Sequence, residues 1–148
     1  MVKIIGAILI IISGFVLGKA IETKYKQKVE FWKEILSFMT LCESEIGRFG
    51  ADLDSVFQLE RQKGNKYSGM IADAVQYNKT SDPDMKLLTD MLSELRSVNC
   101  ATQSKVFSEY EKTAEQKIEN AKTELRKKGQ TFFRLLPILF AGIAIVLW

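Results

Sequence analysis

The residues best able to do acid–base or metal chemistry are carboxylates spaced two apart: Glu43/Glu45, Asp52/Asp54 and Asp82/Asp84. Residues two apart on a helix point to different faces, so Glu43 and Glu45 cannot converge on one substrate atom. Asp52-x-Asp54 opens like a calcium loop, but it continues Ser55-Val56-Phe57, with no glycine at the required turn and no glutamate at the twelfth place. Capping a helix is the role left for it, and Asp82-Pro83-Asp84 reads as another helix start. Gly47-x-x-Gly50 lacks the rest of any phosphate-binding loop, and Gly64-Asn65-Lys66 lacks the glycine spacing of a Walker motif. The chain has no histidine, which removes the usual general base near neutral pH, the His-activated nucleophiles and every His-containing zinc site. Cys42 and Cys100 lie far apart within helical patterns, and free thiols are expected. The chain is therefore read as not an enzyme, with no catalytic residue, cofactor or metal nominated.

The elements that position these residues follow from apolar spacing. Phe31, Ile35, Phe38, Cys42, Glu45 or Ile46, and Phe49 recur at steps of three and four, widened by Trp32, Met39 and Leu41. No proline precedes Pro83, so this helix can run unbroken from near the N-terminus until Gly47 and Gly50 allow it to end. Asp52 can cap a short helix with Leu53, Val56, Phe57 and Leu59 that stops near Gly64-Asn65. A second short helix carries Met70, Ile71, Ala74 and Val75 and ends in the polar stretch Asn78 to Asp82. Pro83 opens a helix with Leu87, Leu88, Met91, Leu92 and Leu95. The last helix begins near Asn99. It repeats Phe107, Ala114 and Ala121 at seven-residue steps, interleaved with Ile118, Leu125 and Phe132, and should pair with the first. No segment alternates like a strand, so the fold expected is all-α: an antiparallel helical bundle flanked by N- and C-terminal transmembrane helices.

The flanks carry the membrane argument. Ile4 to Gly18 is uncharged and, with its neighbours, approaches the roughly 20 residues that a spanning helix needs. Leu135 to Trp148 is the second apolar run, extended by Phe132 and Phe133, with Trp148 suited to an interface. Lys19, Lys24, Lys26, Lys28 and Lys33 follow the first run; Lys122, Arg126, Lys127, Lys128 and Arg134 precede the second. By the positive-inside rule both clusters place the middle of the chain in the cytoplasm and both termini on the opposite side. The expected segments are 1–21 as a transmembrane anchor, 22–131 as a cytoplasmic helical bundle and 132–148 as a C-terminal transmembrane segment. The lysines then serve as topology determinants beside anionic headgroups of the lipid bilayer, worth about 1 kcal/mol each. The competing reading takes Gly18-Lys19-Ala20 as a signal-peptide cleavage site that releases an exported helical binding domain after Ala20. A net charge of +3, from 21 basic and 18 acidic residues, gives no footprint for nucleic acid.

Lys3-Ile4-Ile5-Gly6-Ala7-Ile8-Leu9, the later Leu41-Cys42-Glu43-Ser44-Glu45-Ile46 and the C-terminal Lys128-Gly129-Gln130-Thr131-Phe132-Phe133-Arg134 occur in an order and spacing that resemble the stage III sporulation protein AB family. Asn99-x-x-x-Gln103 falls where that family tends to carry an acidic residue four before a glutamine. The chain departs from the family pattern at Ala51-Asp52-Leu53-Asp54, where a Thr-Pro-Leu-Pro helix start is usual, and at Pro137, where glycine is common. The resemblance implies a channel component in the outer forespore membrane of the mother cell, with a cytoplasmic domain similar to type II secretion F-family platform proteins. It implies docking of a separate secretion-type ATPase, the stage III sporulation protein AA, and coupling to other membrane subunits of the complex; a homo-oligomer stays open. Glu43, Glu45, Arg48 and Gln103 are the candidate partner contacts.

Overall fold

Without a proline or a long polar break, nothing interrupts the first helix, and in the computed structural model α1 runs unbroken from Val2 to Phe49. The structure describes residues 2–49, 53–77, 83–97 and 100–146. Asp52 as a cap, Gly50, the stretch Asn78 to Asp82, Asn99 and Trp148 lie outside them, as do the side chains of Arg48, Val75 and Cys100. The remaining elements are α2 (Leu53–Gln62), α3 (Ser68–Tyr77), α4 (Pro83–Ser97), α5 (Cys100–Glu124), a π-helical turn (Leu125–Gly129) and α6 (Gln130–Val146). No strand occurs among the described residues, and the protein is all-α.

The chain divides into two compact units, residues 1–30 with 118–148, and residues 31–117. The second unit holds the larger core. Phe31, Trp32, Ile35, Phe38, Met39 and Cys42 form the buried stripe of α1 at the spacing expected. Val56 and Phe57 of α2, Ile71, Ala72 and Ala74 of α3, Met85, Leu88, Met91, Leu92 and Leu95 of α4, and Val106, Phe107 and Ala114 of α5 are also buried. Rings set much of this packing: Phe38 stacks on Phe57, and Phe31 meets Trp32 and Tyr67 edge-on at 5.8 and 5.4 Å. Each fully enclosed side chain of this size stabilises the fold by about 1.5–3 kcal/mol. The ammonium of Lys117 lies 5.6 Å from the Trp32 ring centre.

Two positions of the second unit are exposed where the sequence's apolar stripes place them inside. Leu59 is exposed, and Glu60, only 1% exposed, occupies the inner face of α2 in its place, because Glu60 lies four residues from Val56 and three from Phe57. Met70 is likewise exposed while Ala72 is buried, since the inner face of α3 runs through Ile71 and Ala74. The turn after α2 needs a left-handed residue and has Gly64, at φ +63°. The carboxylate of Glu34 on α1 then accepts the Tyr67 N–H at 3.0 Å and so anchors the start of α3.

In the first unit α1 pairs antiparallel with the C-terminal helices. Phe15 meets Phe133 edge-on at 5.1 Å, Gly14 packs against Phe140, Gly18 against Phe133, and Gly129 against Tyr25. Lys28 bonds to Glu124 at 3.5 Å further along. A Cβ on Gly14 would sit 2.8 Å from Phe140, and one on Gly18 would sit 3.1 Å from the backbone of Phe133, so the close approach depends on both glycines. The heptad read through Ile118, Leu125 and Phe132 does not continue unshifted. Phe132 is exposed, Leu125 is half-buried, and the inner positions become Gly129, Phe133 and Phe140, one residue later. The π turn absorbs that extra residue. Pro137 lies within α6 without ending it.

Candidate functional site

Two kinds of surface are left once the cores are accounted for. The first is the apolar surface of the helical hairpin in the first unit. Among the described residues, every exposed large hydrophobic side chain except Leu59 and Met70 belongs to it, from Ile4 to Leu17 on α1 and from Phe132 to Val146 on α6. Two helical stretches, one in α1 and one ending at Val146, are long and apolar enough to cross a membrane. An apolar surface on all sides costs free energy in water and none in hydrocarbon. At about 1.5 Å per residue, α6 spans roughly 26 Å, against a hydrocarbon core of about 30 Å.

Cations crowd the ends of these apolar stretches. Arg126, Lys127 and Lys128 are consecutive and exposed on the π turn, where wider turns reduce the angle between successive side chains. Glu124 lies 3.5 Å from Lys28 and 4.0 Å from Lys128, Glu22 pairs with Lys26 at 3.0 Å, and Glu119 pairs with Lys122 at 2.6 Å. These pairs are largely exposed and each is worth little by itself.

The second surface is a shallow groove on α1 in the helical unit, lined by Lys33, Leu36, Ser37, Thr40, Leu41, Ser44 and Lys63. Half-buried Leu36 and Leu41 supply apolar floor, and lysines stand at its rim. Thr40 links it to an acidic face. Its hydroxyl lies 3.3 Å from the Glu111 carboxylate on α5 and 3.0 Å from the Leu36 carbonyl. Burial raises the Glu111 pKa, and the negative charges of Glu43 and Glu115 raise it further against the opposing Thr40 hydrogen bond. Beneath the groove, Lys63 pairs with buried Glu60 at 2.8 Å. The Cys42 thiol is pushed up to about 12 by burial first and by the nearby Glu60 charge second.

The four candidate contacts do not form one cluster. Glu43 is half-buried and coupled to Glu111; Glu45 is half-buried on α1; Gln103 is half-buried on α5; Arg48 lies on α1 with its side chain outside the described residues. Sequence reading missed Thr40, Glu111, Glu60 and Lys63. Glu60 had a signal, its helical spacing from Val56 and Phe57, masked by its polar type. Gly14-x-x-x-Gly18 is a further signal, a spacing for close packing that shares Gly18 with Gly18-Lys19-Ala20. Tyr110 donates to Glu94 at 2.8 Å between α5 and α4, and burial followed by that acidic partner raises its pKa to about 12. Among the described residues no group of three or more His, Cys, Asp or Glu side chains is placed to hold a metal ion.

Neither a curated protein nor a solved structure matches the chain. A family model, described as stage III sporulation protein AB, matches residues 3–83, which takes in the first apolar stretch, the groove on α1 and all of α2 and α3. With more than half of its length matched and its helical architecture as described, the chain belongs to the stage III sporulation protein AB family and has a role in sporulation.

Proposed function

We propose that this protein is a membrane platform subunit of the secretion-like channel complex between mother cell and forespore. Residues 1–21 and 132–148 cross the outer forespore membrane, and residues 22–131 face the mother-cell cytoplasm. The helical unit docks a separate secretion-type ATPase, the stage III sporulation protein AA, and couples it to the other membrane subunits. The observation that carries this reading is the family match across residues 3–83 on a chain whose two apolar helical stretches are flanked by basic residues. The groove of α1 and the acidic face beside it, with Glu43 and Glu111, are the surfaces we assign to partner contact. Exposed polar and charged groups around a modest apolar floor suit a reversible interface between subunits.

The test is a reporter active only in the cytoplasm, inserted at the exposed Gly64-Asn65 turn of the full-length chain, followed by capture of the ATPase. A cytoplasmic signal from an uncut membrane protein, with ATPase retained by the native chain and lost on reversal of charge at Glu43 and Lys33, supports the platform role. An external signal with a new N-terminus at Ile21 replaces it with an exported helical domain. A cytoplasmic signal without ATPase capture removes the docking role and leaves the topology.

A further inference from the structure

A second groove runs along α1 in the first unit, and its lining changes character along the helix axis. Phe15 and Val16 form one end, Lys19 and Ala20 the middle, and Thr23, Lys24 and Gln27 the other. From Phe15 to Lys24 the helix rises about 13 Å, enough to take a charged headgroup at one end and the first part of an acyl chain at the other. The two lysines are exposed and have no ion-pair partner among the described residues, although Lys26 and Lys28 on the same helix are both paired. The Thr23 hydroxyl donates to the Lys19 carbonyl at 2.8 Å, and the two ammonium groups are the cations of the lining, with the Gln27 amide beyond them.

The level of the groove along the hairpin is fixed. Gly18 packs on Phe133 and Tyr25 on Gly129, so the groove lies where the apolar run of α6 gives way to the cations of the π turn. In a bilayer this is the boundary between hydrocarbon and headgroups. We propose that the groove is a binding site for an anionic phospholipid, its phosphate held by Lys19 and Lys24 and an acyl chain lying along Phe15 and Val16. A zwitterionic headgroup brings its own cation against the two lysines and gains less. A free phosphate leaves the apolar half of the groove unused, and an acidic peptide would have to be drawn into the membrane boundary. The site rests on the membrane reading above.

The test uses the full-length chain reconstituted in phosphatidylcholine vesicles and reads the lipid shell with spin-labelled phosphatidylglycerol or phosphatidylcholine. The native chain should prefer the anionic label, and the K19Q/K24Q variant should lose that preference by about fivefold or more. The R126Q/K127Q variant removes the same charge off the groove and should keep most of it. Equal loss in both variants would mean diffuse attraction without a site and would overturn the proposal, as would a native chain with no preference. Displacement of the labelled lipid by excess inorganic phosphate would overturn it in favour of a simple anion site. Release of the chain by alkaline carbonate is a separate outcome, because it removes the membrane reading itself and the lipid site with it.

Discussion

At the residue scale, burial and charge set the behaviour of two groups that sequence alone leaves ordinary. Cys42 is fully enclosed and its thiol is pushed up to about 12, chiefly by burial, which favours the protonated thiol near neutral pH. In a Cys100→Ala background, alkylation of Cys42 at pH 8 should be slow in the native chain and fast in denaturant, which thiol labelling with mass detection would measure. Rapid native labelling would mean that α2 does not stay closed over α1. Glu111 carries the opposite kind of information. Its carboxyl is raised by burial and by Glu43, so its ionised form is less favourable folded than unfolded. Its contribution to stability is present at low pH, with the group protonated, and is lost as pH rises through the raised folded value. Glu111→Gln should therefore stabilise the chain at pH 7, by at most about 1 kcal/mol given its partial exposure, and the gain should vanish in acid. Thermal unfolding in detergent at two pH values would decide this; equal effects at both would assign the change to the Thr40 contact instead.

At the scale of elements, the hairpin of the first unit is held by backbone proximity. Gly18→Ile pushes against the backbone of Phe133, which cannot rotate away, whereas Gly6→Ile meets nothing within 4 Å. The first should cost about 1–3 kcal/mol and the second little, readable as a difference in melting temperature between the two variants. Gly14-x-x-x-Gly18 is a spacing often used between chains, but here Phe140 and Phe133 already occupy it. The π turn makes a less intuitive prediction. It absorbs one residue between the inner stripe of α5 and that of α6, so deletion of Lys128 should give a regular helix with Phe133 still facing Phe15. Melting within a few degrees of the native chain is expected, and deletion of both Lys127 and Lys128 should be far more damaging. Periodicity made the helices of the second unit legible, because each buries one face, whereas the two flanking stretches were legible as uncharged apolar runs. The π turn was hidden because a heptad template assumes constant phase, and the leucine and phenylalanine it displaced are apolar either way. Glu60 was hidden for a related reason: a stripe search discards carboxylates, and only its pairing with Lys63 makes that burial tolerable.

For the whole molecule, the apolar residues left exposed belong almost entirely to the two flanking stretches, and a chain of this kind should behave as an integral membrane protein. Alkaline carbonate should leave it in the pellet with intact bilayers, and its appearance in the supernatant would argue for a soluble or peripheral state. The all-α class and the flanking apolar helices could be read from composition and spacing, since both depend on local pattern. The partner surface could not. Thr40, Glu111 and Glu43 come together only through the packing of α1 on α5, and no spacing within either helix announces a contact across 71 residues.

Lys63 belongs to two surroundings at once. Inward, it is the counter-ion that makes a buried carboxylate acceptable beside Cys42; outward, it lines the groove of α1. A visiting carboxylate that takes hold of this ammonium competes with Glu60 for it and leaves a buried charge without its counter-ion. Docking at the groove should therefore loosen α2 against α1, and faster alkylation of Cys42 in the presence of a docked partner is the outcome expected.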